Sequence, residues 1–270
     1  MRFAFITFGM LVFLVGCRPE QSGHVNDSFG ERHPNSSAID SMVSVVKDTS
    51  VQHALRKLGL VNILEVDSTI KVDLRYAGVH NFTGQVLYDS LDAVYLQKDV
   101  AIRLALCQKV LKDSIPDYSL LVYDGVRPVS VQWKMWRALD SIPTQRRGKF
   151  VSNPGRGSVH NYGAAVDITI CDKYGGPIDM GAGYDDFREI AAPNMEWKFL
   201  KSGELKPEQY ENRQLLRYVM RSQQFRNIPA EWWHFNAYRR SECEHRYPKL
   251  LTEGGAFLPP QPLVADTLSN

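Results

Sequence analysis

The 270-residue chain has only four cysteines and no CxxC pair. With Cys17 set aside, Cys107, Cys171 and Cys243 allow at most one intramolecular bridge, and their scattered spacing excludes a disulfide-held scaffold. Lysine- and arginine-rich runs are also missing. The 32 basic and 30 acidic residues nearly cancel, to a formal +2, so there is no electrostatic footprint for a nucleic-acid partner. No internal repeat is visible, which excludes solenoid and propeller architectures. No apolar run reaches the roughly 20 residues that a conventional transmembrane helix requires.

What is present is a globular composition. Hydrophobic residues make up 44% and aromatics 11%, enough for a full-sized core in one domain with extensions or in two small ones. The N-terminus departs from this average: MRF carries a positive charge, AFITFGMLVFLV is nearly continuous apolar sequence, and LVGC follows at Leu14 to Cys17. That is the layout of an export signal, and LVGC resembles the bacterial lipobox, which makes Cys17 the expected lipid anchor of residues 1–17. The alternatives are an ordinary cleaved signal or an uncleaved anchor with Cys17 incidental. Each of these puts the remainder outside the cytoplasm, with a membrane-anchored lipoprotein facing the periplasm or cell envelope as the leading expectation. Residues 18–50 are polar, rich in serine, glycine and proline, and without sustained periodicity, as a tether is.

Folded sequence is expected over residues 51–255, with an extended, proline-rich tail over 256–270. VQHALRKLGL reads as a short helix, and VNILEVDSTIKVDLRYA as one or two strands, the second alternating through Ile70, Val72 and Leu74. From Lys98 to Ser114, Val100, Leu104, Cys107 and Leu111 have the spacing of a buried helical stripe, which makes Cys107 a core residue. YSLLVYDG is a compact strand, and the helix after Pro128 has Ser130 as a candidate N-cap. Helix 207–223 opens on Pro207. Helices interspersed among strands without regular alternation point to an α+β fold, with a central, mostly antiparallel sheet flanked by helices.

Two stretches carry chemistry. In SVHNYGAAVD, residues 158–167, a strand AAVDITI puts Val166, Ile168 and Ile170 on one face and Asp167 on the other. Gly163 is available to bend the chain so that His160 and Asp167 converge. In EWWHF, Glu231 and His234 are polar groups in a strongly apolar setting and need partners. Positions i and i+3 face opposite ways on a strand, so both reach one site only if Glu231 lies in the preceding loop or at a bulge, and Pro229 makes the loop plausible. A half-buried strand pairing these groups with Arg239 or Arg240 is the bland alternative. His160, Asp167 and His234 together form a ligand set suited to zinc, with one tetrahedral position left for water. Glu231 stands beside it as a general base, and Arg127 as a cation for a developing oxyanion, or else as an ordinary surface ion-pair partner.

These segments, in order with DLRYA, NFTG, YDGVRP and DMGAGYDDF, resemble the zinc D-alanyl-D-alanine dipeptidases of the VanX type, within the D,D-peptidases that share the Hedgehog-type zinc fold. The resemblance covers about residues 55–250. It implies one Zn2+ on His160, Asp167 and His234, Glu231 as base and Arg127 at the oxyanion. It also implies that Ser158 and Asp185 line the pocket, Asp185 meeting the substrate's ammonium, and that the partner is a small D,D-dipeptide, with no protein partner evident. The alternatives are a D,D-carboxypeptidase or endopeptidase on longer wall peptides, and a non-catalytic zinc-bearing lipoprotein. The presence of Glu231 and Arg127 argues against the last.

Overall fold

The computed structural model describes residues 50–262. The leader, Cys17 and nearly all of the tether lie outside these residues, as does the end of the tail. The strands are β1 (Leu60–Asn62), β2 (Lys71–Val72), β3 (Tyr95–Gln97), β4 (Ser119–Asp124), β5 (Ala165–Cys171), β6 (Arg226–Asn227), β7 (His234–Asn236), β8 (Lys249–Leu250) and β9 (Phe257–Leu258). The helices are α1 (50–57), α2 (Ile63–Val66), α3 (Lys98–Ser114), α4 (Val129–Ala138), α5 (Thr144–Arg147), α6 (Glu196–Ser202), α7 (Pro207–Ser222) and α8 (Arg240–Arg246).

Five strands form the main sheet in the order β2-β4-β5-β7-β6, and only the β2–β4 pair is parallel. The expected mostly antiparallel sheet with flanking helices is what forms. In β5, Val166, Ile168 and Ile170 join Leu120 and Val122 of β4 in a core that α3 covers with Val100, Leu104, Cys107 and Leu111, all of them fully buried. Truncating Leu104 to alanine in such a setting costs about 2–5 kcal/mol. A second cluster, with Leu55, Tyr76, Tyr95, Val131 and Met135, joins residues of α1, β3 and α4.

Register across the sheet positions the site. Asp124 of β4 lies opposite Asp167 of β5, and Asp167 lies opposite His234 of β7. Side chains paired across antiparallel strands share a face, so Asp167 stands between a carboxylate and an imidazole.

Several local expectations are revised. ILEV forms a helical turn rather than a strand because the Asn62 side chain accepts a hydrogen bond from the Leu64 N–H at 3.0 Å, starting a helix despite its β-branched residues. Ser130 is not an N-cap: α4 starts at Val129 after Pro128, and the Ser130 N–H is taken by the Leu251 carbonyl. Phe257 and Leu258, within the segment expected as tail, pair with β8. The turn between them is fixed by Glu253, whose carboxylate accepts the consecutive N–H groups of Asp89, Ser90 and Leu91. Cys107, Cys171 and Cys243 are free and buried.

Candidate active site

The stretch before β5 is built by local bonds. The Ser158 hydroxyl accepts the His160 N–H at 3.3 Å and the Asn161 side chain accepts the Ser158 N–H at 2.7 Å, opening one 3-10 turn over Val159–Tyr162. Gly163 ends it at φ +67°, where a Cβ would run into Leu60. The bend brings His160 over Asp167. Glu231 lies in the loop ahead of β7, as its joint reach with His234 requires. That loop is held by Asn227, whose side-chain amide donates to the carbonyls of Glu231, Trp232 and His234.

Hydrogen bonds at the outer edges of the imidazoles decide what faces inward. The Gly125 carbonyl can only accept, so His160 Nδ1 donates to it at 2.7 Å and leaves Nε2 with its lone pair. His234 Nε2 donates to Asn236 Oδ1 at 2.9 Å, leaving Nδ1 bare. These bare nitrogens lie 3.1 Å apart, and each faces Asp167 Oδ1, at 3.2 Å from His160 and 3.0 Å from His234. Three lone-pair atoms this close need a positive charge among them. Tetrahedral ligands about 2.0–2.1 Å from a zinc ion sit roughly 3.3 Å from one another, so the trio fits a divalent cation, and the outer bonds are those that orient ligating histidines.

Electrostatics agree with this arrangement. Burial works to raise Asp167, but the two imidazoles and Arg127 hold its carboxyl well below the usual range. Burial lowers His160. It works against charge on His234 too, but the hydrogen bond and charge of Asp167 outweigh it and raise that group. Glu231, with Oε2 at 3.9 Å from His234 Nδ1, is pushed up to about 7, chiefly by the protein around it and also by the charge of Asp167.

Arg127 is no surface partner. It is 7% exposed, donating through Nε to Asp124 Oδ2 at 2.7 Å and through Nη2 to Asp167 Oδ2 at 2.9 Å, with Tyr76 beneath it. It bridges two carboxylates that register sets side by side. Neither Arg239 nor Arg240 pairs with Glu231; Arg240 pairs with Glu244.

The opposite wall comes from loops. Asp185, at φ +60°, accepts the Tyr76 hydroxyl at 3.0 Å and the Phe82 N–H at 3.3 Å, and burial with the charge of Asp167 pushes it up to about 7. Ser158, His160, Asp167, Asp185, Glu231 and His234 all line one cleft of about 210 Å³. Three phenylalanines border it: Phe187 packs on Phe82 and on Phe150.

Sequence reasoning missed Asp124, Tyr88 that donates to it at 2.6 Å, and Tyr184, whose hydroxyl donates to Asp167 Oδ2 at 3.0 Å. Opposite charges three residues apart at Asp124 and Arg127 were a usable signal. Tyr184 stands within the DMGAGYDDF segment, beside Asp185, yet was given no role, and Asn227 offered no signal.

A strand-end cleft that sets a trio able to hold a metal ion against a carboxylate and a fixed guanidinium suits hydrolysis. The family model described as D-ala-D-ala dipeptidase matches residues 56–252, and the chain belongs to this family of peptidases. A D-alanyl-D-alanine dipeptidase of Escherichia coli (strain K12) is 28% identical over 201 residues, covering 74% of this chain and 94% of that protein. One from Synechocystis sp. is 29% identical over 176 residues, 55% of this chain and 71% of that protein. One from Enterococcus faecalis is 26% identical over 190 residues, 66% of this chain and 90% of that protein.

These matches correct one expectation. The exported, membrane-anchored lipoprotein is withdrawn, because the relatives are named as D-alanyl-D-alanine dipeptidases; Cys17 itself lies outside the described residues. Among the described residues no helix is long and apolar enough to cross a membrane.

Proposed function

We propose that the protein hydrolyses the dipeptide D-Ala-D-Ala to two D-alanines in a zinc-dependent reaction, as part of cell-wall peptide metabolism. The observation that carries this is the convergence of His160 Nε2, His234 Nδ1 and Asp167 Oδ1 inside the region matched by the dipeptidase family. We take residues 51–255 as the catalytic domain and leave 256–270 without a catalytic role.

His160, Asp167 and His234 would hold the Zn2+ ion. When bound, zinc supplies a Lewis acid and favours deprotonation of water near neutral pH. Glu231 takes a proton from the attacking water at a carboxylate oxygen and returns it to the leaving amine nitrogen, so the proton count closes over one turnover. Arg127, fixed by two carboxylates, meets the negative charge that develops on the scissile carbonyl oxygen without having to reorganise. Asp185 receives the substrate's free ammonium. The Ser158 hydroxyl, whose oxygen already accepts the His160 N–H, retains its proton for a substrate acceptor. A carboxylate at Asp185 pairs with a free ammonium and leaves an acylated nitrogen without that partner, which favours a dipeptide over a longer wall peptide.

Zinc-loaded protein incubated with D-Ala-D-Ala and with a muramyl pentapeptide tests this reading. Release of D-alanine from the dipeptide is expected. Cleavage of the pentapeptide alone transfers the site to D,D-carboxypeptidase chemistry, and no cleavage with metal retained leaves a binding protein.

A further inference from the structure

We infer that Arg213, on α7, is a positioning residue: one buried guanidinium staples both ends of the segment from Met180 to Ile190 and so presents Tyr184 and Asp185 to the cleft. The inference rests on the proposed function only where Asp185 meets substrate.

Arg213 is 1% exposed, the largest of the fully buried side chains. Its Nε donates to the Met180 carbonyl at 2.6 Å, and its Nη1 to the Ile190 carbonyl at 3.0 Å. Between those anchors, Tyr184 reaches Asp167 and Asp185 reaches Tyr76 and the Phe82 N–H. Neighbouring residues of α7 grip the same end: Asn212 donates to the Asp179 carbonyl and Gln209 to the Asp179 carboxylate, both at 2.8 Å.

Packing alone does not call for an arginine here. An apolar side chain of similar volume generally stabilises a core as well as a buried ion pair does, and Arg213 Nη2 has no partner in the structure. A planar guanidinium does supply something an apolar chain cannot: donors in fixed geometry, which set the separation of two carbonyls ten residues apart. The need for that is visible at Asp185. Its positive φ is uncommon outside glycine and persists only where the surroundings impose it.

The network also provides its own control. Glu196 accepts Arg213 at 3.3 Å but is held more closely by Arg217, at 2.8 and 2.6 Å. Arg217 therefore belongs to the same buried ion network, and its hydrogen bonds go to Glu196 rather than to the segment's carbonyls. Changing Arg213 leaves Glu196 paired, so its charge is not stranded.

Arg213→Lys and Arg217→Lys in the full chain separate positioning from general stability. Amide hydrogen exchange over 180–190 is expected to quicken by about tenfold or more in Arg213→Lys while β5 and α3 stay protected. KM for D-Ala-D-Ala is expected to rise about tenfold with kcat within about threefold. Arg217→Lys is expected to leave both readouts near wild type. Equal effects of the two variants, or unchanged exchange over 180–190 in Arg213→Lys, overturn the staple. If Arg213→Lys does not fold, Gln209→Ala with Asn212→Ala frees the Asp179 end, and the same two readouts must move in the same direction. Should wild-type protein fail to cleave the dipeptide, the proposed function falls, and the exchange data still decide the role of Arg213.

Discussion

The cleft has a sheet-built wall and a loop-built wall. His160, Asp167 and His234 stand on β5, β7 and a one-turn helix fused to β5, and every inner atom is aimed by main-chain register or by a short outer bond. Asp185 and Phe82 stand on segments outside the sheet, 103 residues apart, and meet through side chain-to-backbone bonding. Strand pairing spreads positional control over a ladder of bonds, whereas the loop wall depends on a few contacts that can be lost singly. The wall that carries the His160, Asp167 and His234 trio should therefore fail all at once, and the wall that carries Asp185 by degrees.

The most severe break is His160→Ala. Metal content measured by atomic absorption is expected to fall from one ion per chain to near none, with loss of all turnover, and the protein should melt at the same temperature with or without added zinc. Glu231→Ala separates binding from chemistry on the same wall: metal content should hold while kcat drops by about a thousandfold. Unchanged activity in this variant would remove the proposed base. Arg127→Lys keeps the charge but not the fork that serves Asp124 and Asp167, and a kcat loss of about a hundredfold is expected in steady-state assays. On the loop wall, Asp185→Asn should raise KM about tenfold and spare kcat. The pH dependence sharpens this last point. The Asp185 carboxyl is held at about 7, so lowering pH below that value protonates it, removes its charge and raises KM. Above 7 the carboxylate persists and KM levels off. In Asp185→Asn this slope should vanish, and a slope that persists would place the titration elsewhere.

Residues whose role depends on nearby sequence were the legible ones. The stripe from Val100 to Leu111 needs only helical period, and α3 has the expected bounds. The split of Val166 and Ile168 from Asp167 needs only strand period. The trio emerged because two ordered motifs and a family resemblance supplied what spacing alone did not. Asp124 was passed over although the charge of Arg127 three residues on pointed to it; its place opposite Asp167 is a register between β4 and β5 that no local pattern encodes. Arg213 acts on carbonyls distant in sequence, and nothing about an arginine in a helix announces that; Asn227 acts within its own loop, on the carbonyls of Glu231, Trp232 and His234, through a turn that no residue pattern marks. At ILEV one asparagine side chain outweighed the β-branched composition. The leader's apolar run suggested a destination for the chain that its relatives did not support.

The main chain, rather than a neighbouring side chain, selects the His160 tautomer, through the Gly125 carbonyl. A side-chain partner can be deleted by a single codon change; a peptide oxygen is present whatever residue is written at 125. The vulnerability shifts to space instead, because a Cβ at that position would meet Val94 at 2.6 Å and the Tyr95 carbonyl at 2.8 Å. A scan for substitutions that weaken metal binding should therefore report position 125 as a steric hit, at the residue whose carbonyl holds the His160 ring, although no side chain is lost there.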